Sequence, residues 1–370
     1  MEIKQVTFQT SRPNREPIRM ELLMDDLTLN PLGRLPLIPE QILRTHHVAE
    51  PYDDRFRSCA RLLQALWRED KGLPLGTYIS SEGKRKKLGS RITAAAGLAG
   101  ANFLSPAIAH LTHKEVAYRE IGALIDEDRL WTNLLSSMPL TFNLLGPLSL
   151  DLALATRTIQ NLIPDLHDAM VRAVWFEHSP GRGSPIFTSD GTAFDALIIY
   201  ERASSRTGFI AIEIKYAETM QEPVPRMRPR YDELATSSGL FIDPESQALR
   251  TNPLQQLWRE HLLAHSMLAN GLYNEGRLIV IGPSLNYHVQ NAIGGYQCQL
   301  NQLTEHQAGF DAFTLEQIIA AMAEAGEPDH ARALYRRYCD WHLIDGELEL
   351  SIADATGQRR HLEQQIQPTS

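Results

Sequence analysis

The sequence predicts an α/β fold with a mostly helical N-terminal region. Three observations support this prediction: apolar residues recur at helical spacing before residue 163, short β-branched and aromatic runs follow residue 170, and the run 277–282 is short and largely apolar. An apolar run of this kind is typical of a strand buried inside a parallel or mixed sheet. Between residues 148 and 282 the predicted order is helix, strand, strand, strand, helix, strand, which is an α/β core.

The composition is that of a globular protein with an ordinary core. The chain has 370 residues, 43% of them hydrophobic and 22% charged, which excludes a disordered chain or a coiled-coil rod. No apolar run reaches the ~18 residues of a membrane span. The N-terminal segment lacks the pattern of a secretory signal, and three scattered cysteines form neither a disulfide framework nor a metal motif. We therefore expect a cytoplasmic protein with no membrane partner.

The net charge of −9 argues against general binding to polyanions, but two local basic clusters remain candidates for contacts with phosphate groups. Each cluster is either a solvated loop or a nucleic-acid contact. The first contains Lys84, Arg85, Lys86 and Lys87, and the second contains Arg226, Arg228 and Arg230.

The N-terminal half is predicted to be an arm followed by helices. Proline-rich residues 1–50 indicate an extended arm, and a turn is expected at Gly146 and Pro147. Apolar spacing and small-residue runs predict helices at 53–68, 90–101, 117–135 (broken near Asp126) and 148–163.

The second half alternates strands, loops and helices. We predict strands at 170–176, 194–200, 209–216 and 277–282, loops at 178–190 and 223–229, and helices at 254–268, 315–323 and 329–341. The helix at 254–268 is expected to be capped by Asn252, with Pro253 at its first position. The expected division is an N-terminal arm and helical region (1–110), a core (111–300) and C-terminal helices with a tail (301–370).

Charged residues interrupt the apolar strand FIAIEIKY. Because side chains alternate along a strand, Glu213 and Lys215 share one face, and the preceding antiparallel strand places Asp195 within reach of Glu213. Two close carboxylates repel each other unless a cation lies between them. The pattern therefore predicts a divalent-metal hydrolase in which Asp195, Glu213 and the Ile214 carbonyl hold Mg²⁺ and Lys215 acts on the attacking water or the phosphate. The alternative is a salt bridge on an exposed edge strand.

The same residues resemble the PD-(D/E)XK nuclease superfamily. Asp195, 17 intervening residues and then Glu213-Ile214-Lys215 match its motif, and DGTAFDALIIYERASSRTGFIAIEIKYAE with FEHSPGRGSP is similar to a bacterial branch described as restriction endonucleases. The resemblance implies a restriction-endonuclease-like αβββαβ core and Mg²⁺-dependent phosphodiester hydrolysis, with Asp195 and Glu213 as ligands and Lys215 at the water. Phe194 stands where the motif has proline.

Further residues are weaker candidates. Glu177 ends the first strand and is a candidate third acid, while Gln255 or Gln256 opens the helix where related nucleases often place a glutamine; each is otherwise a surface residue. His178 and Arg182 lie in one loop and are candidates for contacts with phosphate. Glu218 is a candidate extension of the acidic site, although an exposed strand end is the favoured interpretation.

The expected function is a DNA nuclease in restriction or defence, with Mg²⁺ as cofactor and Mn²⁺ as a substitute. A homodimer is expected if both strands are cut. The chain contains no GxxxxGK[ST] motif for a nucleotide cofactor. The alternatives are a catalytically silent nucleic-acid-binding or assembly subunit and a nuclease that acts on RNA or structured DNA.

Overall fold

The computed structural model describes residues 5–7, 19–21, 34–80 and 82–355, so most of the arm predicted at 1–50 lies outside the described residues. The strands are β1 (Gln5–Thr7), β2 (Arg19–Glu21), β3 (Leu75–Ile79), β4 (Arg85–Ile92), β5 (Met170–His178), β6 (Phe194–Glu201), β7 (Thr207–Ile214), β8 (Glu275–Gly282) and β9 (Gly309–Thr314). The α-helices are α1 (Glu40–Thr45), α2 (Arg55–Asp70), α3 (Ala94–Leu98), α4 (Pro106–Ala117), α5 (Glu127–Thr132), α6 (Ser137–Leu150), α7 (Leu152–Leu162), α8 (Pro229–Ser238), α9 (Gln255–Ala269), α10 (Tyr287–Gln297), α11 (Leu315–Glu324), α12 (Pro328–Tyr338) and α13 (His342–Ala355).

A five-stranded sheet in the order β5-β6-β7-β8-β9 forms the centre of the fold. The pairs β5-β6 and β6-β7 are antiparallel, whereas β8 runs parallel to both β7 and β9. The succession α7, β5, β6, β7, α9, β8 confirms the αβββαβ order predicted from the sequence. Strand β7 lies in the middle of the sheet, so the alternative of an exposed edge strand is wrong.

Helices cover both faces of the sheet. On β7, Ile210, Ile212 and Ile214 belong to a large apolar cluster that includes residues of α2, α6, α7, α11 and α12. Phe209 and Ala211 instead join a cluster with residues of α9. The predicted alternation along β7 is therefore confirmed, and it turns Glu213 and Lys215 towards the α9 side.

Helices that precede and follow the sheet in the chain pack together on the face formed by Ile210, Ile212 and Ile214. The Gln64 amide in α2 donates hydrogen bonds to the Tyr216 hydroxyl, at 3.1 Å, and to the Arg337 carbonyl oxygen in α12, at 2.8 Å. These bonds join the N-terminal helices, the end of β7 and the C-terminal helices. The boundaries at residues 110 and 300 stay a prediction.

The predicted turn at Gly146 and Pro147 is wrong, because both residues lie inside helix α6. Because proline has no N–H, Pro147 cannot donate the helical hydrogen bond to the carbonyl oxygen of Asn143, four residues earlier. This oxygen instead accepts a hydrogen bond from His330 Nε2 at 2.8 Å. The predicted helix 148–163 is therefore divided between α6 and α7 at Asp151, whose side chain caps α7.

Other predicted elements differ in detail. Residues 118–126 are not helical, and α5 begins after Asp126, whose side chain accepts the N–H of Arg129. Asn252 does not cap α9, because its side chain donates to the Glu222 carbonyl oxygen and Leu254 occupies the cap position. The first basic cluster lies on the hairpin β3-β4, which the sequence analysis missed together with α8, α10 and β9.

Among the described residues, no single helix is long and apolar enough to cross a membrane; α6 and α7 meet that length and composition only as a pair, bent by 114°.

Candidate active site

Three carboxylates lie in one row across β5, β6 and β7. The antiparallel registers of these strands place Glu177, Asp195 and Glu213 at successive positions along this row. We call these three residues the acidic row. Glu177 has a φ of 47°, a left-handed conformation that is uncommon for glutamate and is typically kept where a side chain must be aimed at a functional site.

Asp195 is held by the strand beside it. Its Oδ2 accepts a hydrogen bond from the backbone N–H of Ile214 at 2.8 Å. Burial and the negative charge of Glu213 raise the pKa of Asp195 well above its usual value, and they outweigh the opposing effects of Lys215 and of this hydrogen bond. The two carboxylates thus repel each other across the strand pair, as the sequence predicted.

Lys215 forms an ion pair inside the site. Its Nζ lies 2.6 Å from Glu213 Oε1 and donates to Gln256 Oε1 at 2.9 Å. Burial alone would lower the pKa of Lys215, but the surrounding carboxylates, Glu213 first among them, outweigh it and raise that pKa. Lys215 therefore remains an ammonium group although it is buried.

The amide of Gln256 connects these groups to helix α9. Besides accepting from Lys215, it donates through Nε2 to Glu213 Oε1 at 2.7 Å. Of the two glutamines considered, the structure brings Gln256 into the site. Gln255 is also buried, but its side chain accepts a hydrogen bond from Arg259 instead.

Glu260 is a residue of the site that the sequence analysis missed. It lies on α9, four residues after Gln256. The Nε2 of Gln256 also donates to Glu260 Oε1 at 2.8 Å. Glu260 is 2% exposed, and its Oε2 has no hydrogen-bond partner among the described residues. Burial and the charge of Glu213 raise its pKa well above the usual value. The Gln-x-x-x-Glu spacing was the available sequence signal, because residues four apart share a helix face.

Glu218 is not the exposed strand end that was favoured from the sequence. It accepts hydrogen bonds from the Ser137 hydroxyl at 2.7 Å and from the Tyr216 N–H at 2.6 Å, and it lies 3.7 Å from Arg129. Burial raises the pKa of Glu218, but Lys215 and these hydrogen bonds outweigh that effect and lower it. Glu218 thus contributes negative charge near Lys215 without joining the acidic row.

The donor chemistry of the acidic row suits a hard divalent cation. Carboxylate oxygens are the ligands that Mg²⁺ prefers, and the raised pKa of Asp195 shows that a positive charge would relieve the repulsion from Glu213. Within the described residues, no three His, Cys, Asp or Glu side chains already converge as a metal-binding group. The Ile214 carbonyl stays a predicted ligand.

The predicted phosphate contacts lie outside this cluster. Arg182 donates to the carbonyl oxygens of Gly191 and Glu177, and Arg228 and Arg230 donate to carbonyl oxygens of the loop 178–193. These arginines stabilise the loop through internal hydrogen bonds. His178 lies 2.6 Å from the Glu120 carboxylate. Lys84, Arg85, Lys86, Lys87 and Arg226 are exposed, and their role in nucleic-acid binding stays a prediction.

The pKa of Glu177 gives a testable pH dependence. Burial and the charge of Glu213 raise it to about 7, against the opposing effect of Arg182. A raised carboxyl pKa contributes stability that is fully present below the ordinary value of 4.5 and is lost as the pH rises through about 7. We therefore expect Glu177→Gln to gain up to about 3 kcal/mol relative to wild type between these pH values. Urea unfolding in EDTA across this pH range measures the difference, and a pH-independent difference contradicts it.

The fold and the site together define a class of protein: an α/β protein in which carboxylates and a buried lysine project from neighbouring central strands. A family model of the PD-(D/E)XK nuclease superfamily matches residues 51–340, and the chain belongs to this superfamily. The match includes α2, the hairpin β3-β4 and the C-terminal helices α11 and α12 as well as the sheet. Comparison with curated proteins and with solved structures gives no match.

Proposed function

We propose that this protein is a Mg²⁺-dependent endonuclease that hydrolyses phosphodiester bonds of DNA. The observation that carries the proposal is the convergence of Asp195, Glu213 and Lys215 from two neighbouring strands, with Lys215 Nζ 2.6 Å from Glu213 Oε1. Membership of a nuclease superfamily supports the reaction class. A catalytically silent subunit has no need of a buried lysine among several buried acids, which is costly to maintain.

The residues that would hold the metal are Asp195, Glu213 and the backbone carbonyl of Ile214. When bound, Mg²⁺ polarises the phosphate and lowers the pKa of a bound water. Lys215 offers its ammonium group to the charge that builds on the phosphate oxygens, and Gln256 Oε1 fixes the direction of that group. Glu177, the first member of the acidic row, would take a proton from the attacking water.

Substrate binding, oligomeric state and biological role complete the proposal. The exposed basic residues on β4 and Arg226 would contact phosphates, which makes binding weaker as salt increases. Cutting both strands of a duplex would require two active sites, so we propose a homodimer. Restriction or defence against foreign DNA inside the cytoplasm is the biological role proposed for this activity.

A cleavage assay on several substrates tests the proposal. We expect the purified protein to cut plasmid or linear DNA in Mg²⁺ or Mn²⁺ and to be inactive in EDTA. Single-stranded DNA and RNA of matching sequence, tested in parallel, define the substrate. Cleavage of RNA alone would contradict the assignment to DNA, and cleavage that continues in EDTA would contradict the metal dependence.

A further inference from the structure

Large apolar side chains are exposed beside the acidic row. In the non-helical segment 118–126, Tyr118 is 81% exposed and Ile121 is 100% exposed, and Trp175 on the neighbouring strand β5 is 43% exposed. Soluble proteins rarely place several large apolar side chains together on their surface unless the patch binds something. None of these three side chains takes part in the proposed chemistry.

A cavity of about 310 Å³ lies within this patch and reaches the acidic row. Its wall includes Tyr118 and Trp175, together with Glu177, which is the first member of the acidic row. The volume lies within the range of sites for small molecules. We call this cavity the aromatic pocket. A nucleic acid whose scissile phosphate lies at the acidic row would therefore place a neighbouring nucleotide at its entrance.

We infer that the aromatic pocket receives one unstacked nucleobase of the nucleic-acid substrate. This inference rests on the proposed function, because the pocket and the acidic row share Glu177. Aromatic side chains bind bases by stacking on their faces, regardless of sequence. Glu115 and Glu177 in the pocket wall repel a phosphate but not a neutral base, whereas the negative charge of Glu120 is partly compensated by Arg182.

The guanidinium group of Arg119 in the pocket wall does not reverse this preference. Arg119 forms an ion pair with Glu127, with Nη1 and Oε1 2.9 Å apart. Its charge is therefore already partly compensated, so Glu115 and Glu177 still give the pocket wall its acidic character. A base, rather than the sugar-phosphate backbone, is the part of a nucleic acid that fits.

Ile121 is the side chain that we expect to separate two stacked base pairs. It is fully exposed on the segment 118–126, which also contributes Tyr118, Glu120 and Ala123 to the pocket wall. Apolar side chains of this type insert between base pairs and unstack them. In a duplex, Ile121 would separate the step while the released base enters the aromatic pocket; an unpaired strand needs no such separation.

The carboxylate of Glu120 fixes the pocket wall to the sheet. Glu120 Oε1 lies 2.6 Å from His178 Nδ1, and Glu120 Oε2 lies 3.5 Å from Arg182 Nη2. The His178 ring packs against Trp175, with their centroids 4.9 Å apart. The segment 118–126 is thus held against the end of β5, so the pocket is formed before the substrate binds.

Binding of oligonucleotides tests the inference. The probes are an oligodeoxycytidylate and an oligonucleotide of the same length with abasic central nucleotides, measured by fluorescence anisotropy on protein carrying Asp195→Asn. We expect the base-bearing probe to bind roughly tenfold more tightly. Trp175→Ala and Tyr118→Ala should each reduce that preference without weakening binding of the abasic probe, and Trp175→Phe should retain it.

Matched controls and a duplex comparison complete the experiment. Tyr52→Ala and Ile242→Ala, at exposed positions outside the pocket, should change nothing. In otherwise wild-type protein, Ile121→Ala should slow cleavage of a perfect duplex more than cleavage of a duplex with an unpaired bubble. An unchanged base preference in both aromatic variants, or equal weakening with both probes, overturns the inference alone. A loss of dimer on gel filtration would assign the patch to a protein interface. Absence of binding to either probe contradicts the proposed function as well.

Discussion

Replacing Asp195 by Asn is expected to abolish cleavage and, at the same time, to stabilise the protein. The carboxylate is held close to Glu213 in a buried position that raises its pKa, so its charged form is unfavourable in the folded state. Asparagine removes this charge while its side-chain oxygen can still accept the Ile214 N–H. We expect a loss of activity of about 10²–10³-fold and a gain of about 1 kcal/mol in the free energy of unfolding at pH 7.

The size of this gain depends on pH. Because the folded-state pKa of Asp195 is raised, its contribution to stability is fully present below the ordinary value of 3.8 and is lost as the pH rises through the raised value. The advantage of the Asp195→Asn variant should therefore disappear towards pH 3 and be largest at neutral pH and above. Urea unfolding of both proteins in EDTA measures it.

A matched substitution on the same strand separates this effect from a general loss of charge. Glu201→Gln, at the end of β6, removes a carboxylate that pairs with the partly exposed Arg172. We expect it to leave cleavage unchanged and stability within about 0.5 kcal/mol of wild type. If Asp195→Asn destabilised the protein at pH 7, repulsion between Asp195 and Glu213 would not be the dominant force on this side chain.

The central strand could be predicted because two charged residues interrupt its apolar sequence. Isoleucines at every second position define a buried face, and Glu213 and Lys215 in the same strand cannot be buried without partners. Alternation then places both charges on one face and Asp195 beside them. The structure confirms the strand order and this face, since Glu213 and Lys215 form a buried ion pair.

The contribution of α9 could not be predicted from local pattern. Glu260 occupies a position in an amphipathic helix where a charged residue is usually solvated, and only the packing of α9 on the sheet buries it. Similarly, the apolar residues of 117–135 have helical spacing, but Ile121 is exposed and the segment 118–126 is not helical. Spacing predicts which residues can share a face, not whether another element covers that face.

Replacing Lys215 by Ala is expected to abolish cleavage and, unlike Asp195→Asn, to destabilise the protein. The change removes the ammonium group that lies 2.6 Å from Glu213 Oε1 and leaves buried acids without compensation. Breaking a buried ion pair on one side costs about 3 kcal/mol or more. We expect a loss of activity of about 10²–10³-fold, as for other groups that stabilise charge in a transition state.

A second substitution tests whether the ion pair or the packing of Lys215 accounts for this loss of stability. In Lys215→Met combined with Glu213→Gln, both charges are removed while the side chains keep similar volumes, so most of the stability should return although the protein remains inactive. Lys71→Ala, at an exposed lysine after α2, is the control for loss of a positive charge. A double variant as unstable as Lys215→Ala would mean that Lys215 stabilises the fold through packing rather than through charge. Recovered stability without recovered cleavage would separate the structural role of the pair from its role in hydrolysis.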